Sequence, residues 1–159
     1  MVWGLVTAVI SPATLRTHLH KVYYKALPLL GIRRSSKNEY RTLPERFQGL
    51  GLSDFVVLAF AYKIFFLQCH WGFEGTVARM VMLTFETFML EVRLLGDIFK
   101  KDYQKYGGAA TDNTWYKNFW EFSRHLDIEV KFHDKFLLHP AREGDQLLMD
   151  FFLTQGSHA

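Results

Sequence analysis

The longest apolar run of the chain, FVVLAFAYKIFFLQCHWGF from Phe55 to Phe73, has Lys63 at its middle and Gln68 and His70 near its end. Apolar side chains occupy most of its helical wheel, and Ser53 and Asp54 just ahead of it can cap a helix that reaches about Gln68. A central lysine is costly in hydrocarbon, so the run reads as a helix at the centre of a domain rather than a membrane span. After the HWGFEG turn, Val77, Met80, Val81, Phe85, Phe88, Met89 and Val92 recur at helical intervals, with Arg79, Glu86 and Arg93 between them. This predicts a long amphipathic helix from Thr76 to Leu95, stopped near Gly96.

The same pattern yields two further helices. SPATLRTHLHKVYYKALPLLG offers Ser11 as N-cap, Pro12 in the first turn, a stripe of Leu15, Leu19, Val22, Tyr23, Ala26 and Leu27, and a stop at Pro28 or Gly31. Arg16, Lys21 and Lys25 fall mainly off that stripe and should face solvent. TWYKNFWEFSRHL carries Trp115, Phe119 and Phe122 on one face, with Lys117, Glu121 and Arg124 on the other and Asp112 or Asn113 as cap. Between the helices, DIFKKDYQKYGGAATDN reads as a polar connector broken at Gly107 and Gly108.

IEVKFH alternates apolar and charged positions, which predicts a short strand paired with KFLLH in a β-hairpin near residues 128–138. REGDQLLMDFFL predicts a C-terminal helix with Leu147, Leu148, Phe151 and Phe152 inward. The opening MVWGLVTAVI is too short for a bilayer, which takes about twenty residues, and it lacks a basic n-region. It reads as a helix or strand that joins the core. The expected fold class is mainly α: a compact bundle of four to five helices forming one domain over residues 1–159. Within it lie an apolar lead-in at 1–10, a basic loop at 32–52 and core helices over 53–153.

Composition adds that the core should be aromatic. Of 159 residues 49% are apolar, with 15 Phe, 7 Tyr and 4 Trp, against 22% charged, which excludes a disordered chain. Cys69 is the single cysteine and cannot form an internal disulfide, in keeping with a reducing compartment. Its neighbour His70 invites thiol chemistry, but a small buried apolar side chain is the expectation. With neither signal peptide nor transmembrane segment, an intracellular protein, nuclear or cytoplasmic, is expected.

Charge is unevenly spread. From Arg16 to Arg46 eight basic residues face only Glu39 and Glu45, a local balance of +6 in a chain whose net charge is +3. Such a cluster suits a phosphate-contacting surface. Catalytic chemistry is harder to find. No adjacent aspartate pair suggests a two-metal site, and the aspartates fall at helix ends where capping explains them. HLHKVYYK pairs two histidines with tyrosines, as in metal-assisted nicking nucleases, but in a helix His18 and His20 point about 200° apart. His133 and His139 lack a third ligand. No Walker-type loop or nucleophile elbow occurs, so neither metal nor cofactor is expected.

KALPLLGIRRSSKNEYRTLPERFQGLGLSDFVVLAFAYKIFFLQCHWGF, with TDNTWYKNFWEF and PAREGDQLLMDFF, resembles the region that follows the catalytic domain in reverse transcriptases of non-long-terminal-repeat retroelements. The anchor is a proline followed by a glycine-rich turn, here Pro44 with Gly49 and Gly51, and the resemblance runs from about Leu15 to Leu153. It implies a thumb-like or connecting helical region, noncatalytic alone, that helps to hold template and primer beside the other reverse transcriptase domains. The family's catalytic aspartates have no counterpart here. By position, Lys21, Lys25, Arg33, Arg34, Lys37, Arg41 and Arg46 would inherit RNA or DNA backbone contacts. Gln48 stands where many relatives have glycine, which strains the turn if that position needs positive φ. Two other classes stay open: a structural or protein-interaction helical domain, and a metal-dependent DNA-nicking enzyme.

Overall fold

The computed structural model describes residues 3–132, in which seven α-helices follow one another. They are α1 (Trp3–Thr7), α2 (Pro12–Ala26), α3 (Asn38–Thr42), α4 (Phe55–His70), α5 (Thr76–Val92), α6 (Tyr103–Tyr106) and α7 (Trp115–His125), with 3-10 turns at Leu27–Leu30, Glu45–Phe47, Ile98–Lys100 and Gly107–Ala109. The C-terminal helix expected at REGDQLLMDFFL and the KFLLH half of the hairpin lie outside the described residues.

Helix α4 takes the central place that its apolar wheel demands, packing against α1, α2, α5 and α7. Asp54 caps it by accepting from the Val56 N–H at 2.9 Å. Val56, Ala59, Phe60 and Leu67 are buried, and Phe60 meets Phe119 and Phe122 of α7 at centroid distances of 5.1 and 6.0 Å. From α5, the inward residues are Ala78, Val81, Phe85, Phe88, Met89 and Val92. Val77 and Met80, which share the helical spacing, are exposed instead. Offset and edge-on ring pairs then run continuously through Phe85, Phe99, Phe119 and Trp115, the geometries aromatic quadrupoles favour.

Helix α2 matches its capping signals, although Val22 of the expected inward stripe is exposed. Ser11 accepts from the Thr14 N–H, Pro12 sits in the first turn, and the chain leaves through the 3-10 turn to Gly31 at φ 72°. Elsewhere the chain departs from the sequence reading. The connector after α5 is not a polar spacer: Ile98, Phe99, Tyr106 and Ala110 are buried in the core, and Asp102 caps α6. Helix α7 starts at the N-cap Thr114 with no side-chain cap bond, because Asp112 instead holds the Lys117 ammonium at 2.7 Å and Asn113 adopts positive φ.

Among the described residues no strand forms, so the hairpin near 128–138 is corrected in its described half. The alternation in IEVKFH has a different cause. Val130 and Phe132 turn onto the core, Phe132 stacking on Phe99 at 5.2 Å, while Glu129 and Lys131 stay outside. Ser123 holds the segment's start, its Oγ donating to the Ile128 carbonyl. Period-two burial arises here from an extended segment laid against a helical core, with no partner strand among the described residues.

The lead-in joins the core through Lys63, which is only 1% exposed. Its Nζ donates to the Val6 carbonyl at 3.2 Å and the Ala8 carbonyl at 2.8 Å, closing the C-terminal end of α1 onto the middle of α4. Trp115 Nε1 donates to the same Val6 carbonyl at 2.7 Å, and Asn118 Nδ2 donates to the Ile10 carbonyl. The rings of Trp115 and Phe122 lie 5.1 and 5.9 Å from the amine. Those faces favour the ammonium, but among the described residues no carboxylate pairs with it, and burial lowers its pKa to about 8 from 10.5.

Since the unfolded chain holds that proton more tightly, stability should rise with pH between about 8 and 10.5 and be flat in this respect below 8. The upper limit is about 1.4 kcal/mol per pH unit. Urea unfolding of the wild type and Lys63→Met at pH 7.5, 9 and 10 should show this rise in the wild type relative to the variant.

Candidate functional site

The basic residues singled out in the sequence fall on two elements and the segment that joins them. Lys21 and Lys25 are exposed on α2, with Arg33, Arg34 and Lys37 exposed on the stretch from Gly31 to α3 and Arg46 exposed in the 3-10 turn. None of these six forms an ion pair among the described residues, and the same is true of the exposed Arg16. Two of them lie over aromatic rings. The Arg34 guanidinium is 4.8 Å from the Tyr24 centroid, and Tyr24 in turn stacks on His20 at 6.2 Å. Arg46 lies 4.8 Å from the exposed Phe47 ring.

Arg41 is different. It is only 6% exposed, and its Nη2 donates to the Arg34 carbonyl at 2.9 Å. Its buried Nε has no hydrogen-bond partner among the described residues. The expected basic loop is thus built partly of short helices around an interior guanidinium.

The PERFQGLGL turn holds Arg41 in place. The Leu50, Gly51 and Leu52 N–H groups donate back to the Tyr40, Leu43 and Arg41 carbonyls at 3.0, 2.9 and 2.9 Å. Gln48 takes the left-handed step at φ 61°, so this position of the turn does require positive φ. Gly51 takes a second such step at φ 60°. Gly49 has a separate reason, since its φ is not positive. A Cβ there would overlap the Leu43 carbonyl and side chain.

Between α2 and this turn lies a cleft of about 410 Å³. Arg16, Leu19, His20 and Tyr23 line it from α2, Ser36, Arg41 and Thr42 from α3 and its approach, and Leu52 to Val56 from the start of α4. The Tyr23 hydroxyl donates to the Ser53 carbonyl at 3.2 Å. Burial, and then the Asp54 carboxylate, raise the Tyr23 phenol above its usual pKa, against the opposing pull of Arg41. Of this cleft, Ser36 and Asp54 were not site candidates from sequence, and Tyr23 entered only through the HLHKVYYK nuclease alternative. The signal was present in part, because Arg16, His20 and Tyr23 recur at helical spacing on one side of α2.

The other chemistry-bearing residues stand apart. His18 and His20 sit on a helix, and among the described residues no three His, Cys, Asp or Glu side chains assemble to hold a metal. Cys69 is exposed rather than buried, because it falls on the outer side of the last turn of α4. No helix among the described residues is long and apolar enough to cross a membrane. Compared with known proteins, the chain matches no family model, no curated protein and no solved structure.

The turn makes a direct prediction. Gln48→Gly should stabilise the protein by about 0.5 kcal/mol, since glycine relieves the left-handed backbone and returns part of that gain as unfolded-state entropy. Gly49→Ala should cost about 2 kcal/mol through overlap with Leu43. Chemical denaturation of both variants tests the pair; equal effects of the same sign would contradict the assigned roles.

Proposed function

We propose that this chain is a noncatalytic helical domain that binds the phosphate backbone of RNA or DNA through α2, the 33–37 segment and Arg46. The observation that carries the reading is the run of seven exposed basic side chains from Arg16 to Arg46 without carboxylate partners among the described residues. Unpaired surface cations release counterions when they meet phosphates, which makes binding sequence-tolerant and salt-sensitive. Tyr24 and Phe47, each beneath an arginine, add exposed ring faces on which bases can stack. The resemblance to the region after the catalytic domain of non-long-terminal-repeat reverse transcriptases supports the same role, that of holding template and primer for a polymerase domain supplied elsewhere. Arg41, buried and tied to Arg34, organises this surface from beneath.

Polarisation titrations with labelled RNA and DNA duplexes test the reading. If four of the seven cations contact phosphates, log K should fall against log salt with a slope of about −3.6, and each alanine at Lys21, Lys25, Arg33 or Arg34 should reduce that slope by about 1. Affinity indifferent to salt and to these substitutions would overturn it.

A second reading, a protein-interaction domain, is favoured by α5. Val77, Met80, Leu83 and Leu90 are exposed along one side of that helix. Thr84 and Thr87 lie among them with hydroxyls turned back onto the Met80 and Leu83 carbonyls, so the stripe presents carbon rather than polar groups. Apolar stripes of this kind mark protein contacts. On this reading the purified chain should associate with rising concentration in light scattering, and Met80→Glu with Leu83→Lys should abolish the association; a monomer at all concentrations counts against it.

A further inference from the structure

We propose that the cleft between α2 and the turn after α3 receives one nucleotide of a single strand, with its phosphate at Arg16 and Arg41 and its base against the apolar floor. This deepens the backbone-binding reading and rests on it. The volume, about 410 Å³, falls within the roughly 300–1,000 Å³ of small-ligand sites. Its lining combines two features a nucleotide needs. Leu19, Leu52, Phe55 and Val56 supply carbon surface, and the Tyr23 and Phe55 rings stand 6.3 Å apart. Arg16 and Arg41 supply positive charge.

The Arg41 guanidinium carries the argument. It is taken almost wholly out of water, and among the described residues it has no carboxylate partner and its Nε no acceptor. A buried charge without a counter-ion is costly, and an anion in the cleft would supply one beside the guanidinium. The bonds from Leu50, Gly51 and Leu52 fix the backbone around Arg41, and its Nη2 bond to the Arg34 carbonyl holds the guanidinium before any ligand arrives, so little ordering is left to binding.

Asp54 is the one carboxylate on the lining, and its Oδ1 is engaged by the Val56 N–H. It disfavours a bare, highly charged anion, while a ribose hydroxyl or an exocyclic amine can donate to it. That selects a nucleotide over free phosphate. Ser36, Thr42 and Ser53 add hydroxyls to the same walls.

Titration of the full chain with adenosine 5′-monophosphate, adenosine and inorganic phosphate, followed by amide chemical shifts, tests the assignment. The monophosphate should saturate shifts at Leu19, Tyr23, Arg41 and Phe55, and Arg16→Ala should weaken it about tenfold. That variant changes an exposed helix side chain, so the fold is retained whether or not Arg41 tolerates substitution. Equal responses to phosphate alone, or shifts confined to residues outside the cleft, would overturn the assignment. If an oligonucleotide binds with the salt dependence given above while the monophosphate leaves the cleft unmoved, this inference fails and the backbone reading stands; if neither binds, both fail.

Discussion

An ammonium group buried at the centre of an apolar helix must be satisfied by backbone, and this requirement organises the structure. Lys63 finds its acceptors in the Val6 and Ala8 carbonyls, which are free because α1 ends there and leaves its last carbonyls without intrahelical partners. Each side solves the other's problem. The amine gains acceptors inside the core, and the end of a five-residue helix, too short to persist alone, gains donors. Trp115 and Asn118 extend the same solution from α7, so three helices meet at one short stretch of chain.

The aromatic core completes this frame and leaves α2 on its outside. With α4 fixed by α1, α5 and α7, the start of α4 becomes a firm edge on which the turn from Pro44 to Leu52 can close. That closure draws Arg41 inward and leaves the neighbouring cations outside. One sequence segment therefore yields two kinds of arginine: a buried one beside a cleft, tied to the Arg34 carbonyl, and exposed ones free to meet a polyanion. The distinction comes from backbone hydrogen bonding, since the residue type is the same.

Much of this was legible beforehand. Ser11, Pro12 and Gly31 marked α2 because capping is local chemistry, and the largely apolar wheel of Phe55 to Gln68 placed α4 at the centre. The side of α5 that would be buried was less legible: Val77 and Met80 share its period, yet tertiary packing chose the face around Phe85. The strand expected at IEVKFH failed because period-two burial does not require a partner strand. In the candidate site, the positive stretch was visible as composition. That Arg41 would be interior was not, because it depends on bonds from Leu50 and Leu52 back across the turn.

On the proposed reading the surface of α2 and the following basic segment, and not the apolar stripe of α5, meets the partner. Hydrogen–deuterium exchange with and without a single-stranded oligonucleotide tests it directly. The account predicts slowed exchange confined to the backbone between Pro12 and Leu52, with Thr76 to Val92 unchanged. Protection of α5 with no change along α2 would contradict it.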